Sequence, residues 1–215
     1  MTHGKFARQQ SPAVRQSGAA MRHLLIVMSF IGLAVAIIAF IDNRALRHDI
    51  ATALGPGLST PEEQIIRGYD RPYLQLIAER LLHARAAGRD GTLLDLYIRP
   101  GLLWNDVTFA VALGFFSACL WVWVLMQFEP SGFLRYLLVV MAMSSLLYAI
   151  FDTAEDFALA RALGTPTTIS DDKAQIASAL TRLKFISIVG SGAGAAVFQI
   201  LQTIVPADAK PLFRK

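Results

Sequence analysis

The chain has 215 residues, 54% of them hydrophobic and only 17% charged, with a mean hydropathy of +0.47. Soluble domains average nearer 25% charged, so a low charge count gathered outside long apolar runs points to an integral membrane protein. The net charge of +4 does not point to nucleic acid, because the Lys and Arg are dispersed and form no basic recognition motif.

Residues 1–20 are polar and basic, with Lys5, Arg8 and Arg15 and no acid, and read as a disordered cytoplasmic tail. Residues 24–41, "LLIVMSFIGLAVAIIAFI", form the first predicted span. A secretory signal is the rival reading, but the apolar core is long for one and no small-x-small cleavage site follows. Predicted spans then cover 102–126, 133–151 and about 185–205. Each is long enough, at 1.5 Å per residue, to cross a hydrocarbon core of about 30 Å. The short "QFEPSG" makes the second and third spans an antiparallel hairpin.

The expected fold is therefore all-α, an integral membrane four-helix bundle with a partly helical outer loop over 42–101 and a basic tail at 206–215. Both tails carry Lys and Arg, which places both termini in the cytoplasm under the positive-inside rule. In the outer loop, Thr60, Pro61 and Glu63 have the spacing of a capping box. A second helix is expected from Asp70 as cap to Gly88 as stop, with Tyr73, Leu76, Ile77, Leu81 and Ala84 on its apolar stripe. Packing on the bundle suits this helix better than lying in the headgroups, because Glu79 and Asp90 dilute its basic face.

The chemistry-bearing stretch is "YAIFDTAEDFALARAL", residues 148–163, where Asp152, Glu155 and Asp156 end a run whose only charge is Arg135. Counted along the helices, Asp106, Asp152 and Lys184 all lie about 30 Å from the cytoplasmic ends and should share one layer. Ser145, Tyr148, Asp152, Glu155 and Asp156 follow i, i+3, i+4 spacing and form one polar stripe. Three neighbouring acids repel one another unless a cation is near, and Lys184, with Arg182 behind it, is the obvious cation. The cluster is read either as an ion-pair network that fixes helix register or as a site for a cation, a proton or a polar substrate.

These residues carry a resemblance. "LLWNDVTFAVALGFFSACLWVWV", "FDTAEDFALARAL" and "LTRLKFISIVG" resemble a family of uncharacterised bacterial membrane proteins with an Asp opening one span, D-x-x-E-N closing the next and T-x-x-K opening the last. The matching positions here are Asp106, Asp152 and Glu155, and Thr181 and Lys184, with Asp156 where the family has Asn. The resemblance implies a four-span bundle in a bacterial inner membrane and no particular activity.

Ser187, Gly190, Ser191 and Gly194 form a small-residue face, suited to packing inside the bundle or to a dimer interface. Trp104, Trp121, Trp123 and Tyr136 fit an aromatic belt, and Gln199 and Gln202 fit interhelical hydrogen bonding. Cys119 lies in an apolar run without a partner for a disulfide. No nucleotide, zinc or nucleophile-elbow motif appears, and none of the four histidines lies deep in an apolar run. No cofactor, metal or catalytic residue is therefore expected. Partners are the lipid bilayer and either a second copy or a membrane or periplasmic protein. The leading functional expectation is a structural or interaction role for the charged layer. The alternative is a small cation- or proton-coupled transporter or channel built on Asp152, Glu155 and Asp106. A membrane enzyme is the weakest class.

Overall fold

A computed structural model describes residues 12–204 except 87, 89 and 129, with side chains described for 18–192 and 194 apart from the same three. Every regular element among the described residues is helical. Five helices matter: α1 (Pro12–Leu54), α2 (Arg71–His83), α3 (Leu93–Phe128), α4 (Gly132–Leu163) and α5 (Asp171–Ile204). In the order α1, α3, α4, α5, each long helix packs on the next.

Parts of α1, α3 and α4 are long and apolar enough to cross a membrane: Gly18–Leu54, Leu93–Phe128 and Gly132–Leu163. Their apolar side chains face outward. Only 22% of the most apolar stretch of α1 is buried, and Phe30, Ile38 and Ile41 are among its exposed residues. A water-soluble bundle turns such residues inward, so this surface suits lipid. The fourth predicted span lies on α5, and most of its side chains, including Gln199 and Gln202, fall outside the described residues. So do residues 1–11 and the tail at 206–215.

The helices continue well beyond the predicted spans. α1 starts at Pro12, within the segment expected to be a disordered tail, and runs on through 42–54, expected to be loop. Leu46, Ile50 and Leu54 recur every fourth residue on one face of that extension and are fully buried. They join Leu74, Ile77 and Leu81 of α2, Leu93, Tyr97 and Leu102 of α3, Leu159 and Leu163 of α4, and Ala174 and Ala177 of α5 in one core. This core forms a cap over one end of the long helices. A smaller cluster of Trp121, Val124, Leu138 and Met141 closes the other end.

Within the cap, Asp70 accepts from the Tyr73 N–H and starts α2 as expected. The helix ends at His83, where Ala84 turns extended, five residues before Gly88. Its inner face is Leu74, Ile77, Ala78 and Leu81, while Leu76 is 38% exposed. Of the expected stripe, Ile77 and Leu81 are buried and Tyr73 and Ala84 pack against the core, Leu76 departs, and Leu74 and Ala78 join the face. Pro61–Glu63 makes a single 3₁₀ turn, and the Thr60 side chain caps nothing.

The entry to α3 is a π-helical stretch, Tyr97–Asp106, with Pro100 inside it. Proline lacks an N–H and its ring crowds the carbonyl four residues back, so a regular α-helix would break there. Here the helix runs through Pro100 in the wider π register, which closes where the Val107 N–H donates to the Leu102 carbonyl, five residues back.

Candidate functional site

The acids and cations gather where the apolar helices enter the cap. On α4, Asp152, Glu155 and Asp156 lie within one turn and all are buried. On α5, Thr181 and Lys184 are three residues apart and share a face. The two helices bring these sets together. Lys184 Nζ lies 2.7 Å from Asp152 Oδ1 and 2.5 Å from Glu155 Oε2, so one ammonium bridges two carboxylates. Thr181 Oγ1 donates to Glu155 Oε1. Tyr69, from the cap loop, lies 3.2 Å from Thr181 Oγ1 and donates to it when that hydroxyl's proton is given to Glu155. The Tyr69 N–H donates to Ser178 Oγ. Burial, reinforced by the Glu155 charge, holds the Tyr69 phenol in its protonated form well above its usual range.

A second polar group lies on the α1 side. Asp106 Oδ1 accepts from Arg47 Nη2 at 2.8 Å and from Asn43 Nδ2 at 3.0 Å. Nearby, the Tyr97 hydroxyl donates to Glu62 Oε2 at 2.6 Å. These side chains line a cavity of about 70 Å³, room for a water or two. The buried Asn43 Oδ1 has no hydrogen-bond partner.

Asp156 follows Asp152 and Glu155 on α4 and is buried with them in the same layer. It is 1% exposed, and neither carboxylate oxygen has a hydrogen-bond partner. The layer therefore holds five carboxylates (Glu62, Asp106, Asp152, Glu155 and Asp156) against two cations, Arg47 and Lys184. Leaving a buried carboxylate ionised without a partner costs several kcal/mol. Such a layer favours proton uptake or a bound cation. Among the described residues, no three His, Cys, Asp or Glu side chains converge as a metal site.

The sequence-predicted residues are thus divided. Asp152, Glu155 and Lys184 meet directly. Asp106 is paired by Arg47 instead of Lys184. Arg182 points away from the acids: it is exposed and its Nη2 donates to the Arg67 carbonyl. Sequence reasoning missed Asn43, Arg47, Glu62, Tyr69 and Tyr97. Asn43 and Arg47 did carry a signal, since they lie one helical turn apart just past an apolar run. The loop residues Glu62 and Tyr69 had none, because only the fold brings them to the layer.

The small-residue face lies against α4 within the same chain. Ser144 Oγ donates to the Ser187 carbonyl, and a Cβ on Gly194 would collide with Met141 Sδ. Ser191 meets Ser145 at 3.0 Å and accepts from Trp121 Nε1, while Ser117 reaches Ser145 at 2.8 Å. Trp121 is therefore an interior hydrogen-bond donor. Trp104 and Tyr136 are exposed, as belt residues would be, and Cys119 is packed. The chain matches no family model, no curated protein and no solved structure.

Proposed function

We propose that the chain is a multi-pass protein of a bacterial inner membrane, with four spans and both termini cytoplasmic, whose role is structural and interactive. The charged layer fastens the helix bundle and holds the cap rigidly for a protein partner. The outward apolar surface and the basic tails support the placement, and a four-span inner-membrane bundle is also what the resemblance at Asp106, Asp152, Glu155, Thr181 and Lys184 implies. One observation carries the reading. Lys184 joins Asp152 and Glu155 across two helices, and Glu155 continues through Thr181 to Tyr69 of the cap. A single buried network therefore ties bundle to cap.

A double-mutant cycle in mild detergent tests it. Lys184→Gln leaves two carboxylates without their cation and should cost about 3–5 kcal/mol. Glu155→Gln leaves Lys184 paired with Asp152 and should cost less. The double variant should recover part of the sum, whereas strict additivity would count against a coupled structural layer. A second reading, a proton- or cation-coupled transporter, is favoured by the carboxylate excess and by Asp156 without a partner. It gains if the single variants stay as stable as wild type and lose stabilisation by protons or added cations.

A further inference from the structure

On the outer side of the layer, the cap loop and α5 leave an open cleft of about 600 Å³. Its walls include Arg67, Gly68, Tyr69, Asp70, Ser178 and Arg182. Both arginines are exposed, and neither has an ion-pair partner among the described residues. The one carboxylate in the wall, Asp70, accepts the Tyr73 N–H at the start of α2.

The cleft is shaped to hold a guanidinium in place. Gly68 has φ +68°, and a Cβ there would fall 2.6 Å from Arg182 Nη2 and 2.6 Å from Ser178 Oγ. The positive φ at position 68 favours glycine, a side chain there would push the Arg182 guanidinium aside, and Arg182 donates to the Arg67 carbonyl at 3.2 Å. One of its nitrogens is thus spent on positioning, while the rest of the fork remains available. Arg67 supplies a second, freer guanidinium. Arginine side chains recognise phosphate oxygens through paired N–H groups, and two exposed arginines line this one cleft.

Position adds to this. Arg182 precedes Lys184 by two residues, about 3 Å along the helix, so it lies just outside the charged layer. Ile66, beside Arg67, is 90% exposed. An apolar tip next to a cationic cleft suits the boundary between acyl chains and headgroups.

We infer that the Arg67–Arg182 cleft binds a phosphate monoester or diester, supplied by a phospholipid headgroup or by a soluble phosphorylated molecule. Tyr69 forms part of the cleft wall and also reaches Thr181, so occupancy bears on the network that ties cap to bundle.

Thermal unfolding of the purified full chain in mild detergent tests this with three probes: phosphatidylglycerol, diacylglycerol of the same chains, and glycerol 3-phosphate. Phosphatidylglycerol should raise the wild-type Tm by about 5–10 °C at a hundredfold excess over Kd, and diacylglycerol should not. The rise should fall at least by half in Arg67→Gln and in Arg182→Gln, each measured against its own unliganded Tm, and persist in Arg80→Gln outside the cleft. Because Arg182 also braces the loop, Arg67→Gln keeps the test decisive if Arg182→Gln unfolds. Stabilisation by glycerol 3-phosphate with the same arginine dependence also supports the site and identifies a soluble ligand as its source. No stabilisation by either phosphate, or equal stabilisation of wild type and Arg67→Gln, overturns the proposal.

Discussion

Tyr69 is the residue on which the cap and the charged layer meet, and its hydroxyl makes a definite prediction. Tyr69→Phe removes the bond to Thr181 and should cost about 1 kcal/mol near pH 8. The sign of the pH dependence follows from the raised position of the phenol in the folded state. In the unfolded chain it ionises near pH 10, so the folded form loses relative stability as pH climbs above that value. The advantage of wild type over Tyr69→Phe should shrink by about 1.4 kcal/mol per pH unit above about pH 10, and then reverse. Denaturant unfolding of both proteins at pH 8, 10 and 11 measures it. The other tyrosines are common to both proteins and drop out of the difference. An advantage that stays constant over this range would mean that Tyr69 is not held as a buried neutral phenol. Tyr69 also shows where sequence reading of the site stopped. Lys184, Asp152 and Glu155 could be placed in one layer because helical rise fixes depth. Tyr69 and Glu62 sit on the cap loop, whose path depends on tertiary packing and has no period to count.

At the scale of elements, close approach between helices depends on small residues. A Cβ at Gly114 would stand 2.6 Å from Ala149 Cβ and 2.9 Å from the Ser145 carbonyl, with no flexible side chain to yield. Gly114→Ala should therefore cost about 1–3 kcal/mol by forcing α3 away from α4. Gly192 has nothing within 4 Å of a built Cβ. There the same substitution should be neutral or stabilise by up to about 1 kcal/mol through helix propensity. Opposite signs in detergent unfolding confirm that packing decides; equal effects would mean that propensity does. Separating α3 from α4 would also stretch the Ser117–Ser145 bond. The long apolar runs of α1, α3 and α4 were legible because hydrophobic length is a strong signal. Three features were harder. The extension of α1 through 42–54 was hidden by its charges, although Leu46, Ile50 and Leu54 kept the helical spacing. On α2 the expected stripe included the exposed Leu76 and omitted the buried Leu74 and Ala78, because neighbouring leucines fit more than one rotation. The second span was expected to begin at 102, whereas the helix starts at Leu93 and a π register carries it through Pro100.

For the molecule as a whole, the arrangement of polar and apolar matter runs along one axis. An apolar core of the inward-facing kind found in water-soluble domains fills the cap, a charged layer follows, and helices with outward apolar surfaces continue to the far end. Such an order makes sense if the bilayer begins at the layer, because charges at that depth can meet headgroups and water on one side while ion pairs satisfy them on the other. Chain direction then sets the topology. α1 leads into the cap, α3 leaves it, α4 returns and α5 leaves again, so α5 decides on which side the C-terminus lies. If α5 crosses the membrane, residue 210 lies on the opposite side from residue 66, and in the proposed orientation residue 66 is the one outside. Single cysteines in a Cys119→Ala background test this with a membrane-impermeant maleimide. Ile66→Cys, at a 90% exposed position, should label in intact cells. Lys210→Cys should label only after the membrane is opened. Labelling of both in intact cells would leave three spans and put the C-terminus outside. That outcome would require α5 to give up its packing along α4 through Ser187, Ser191 and Gly194 in the membrane.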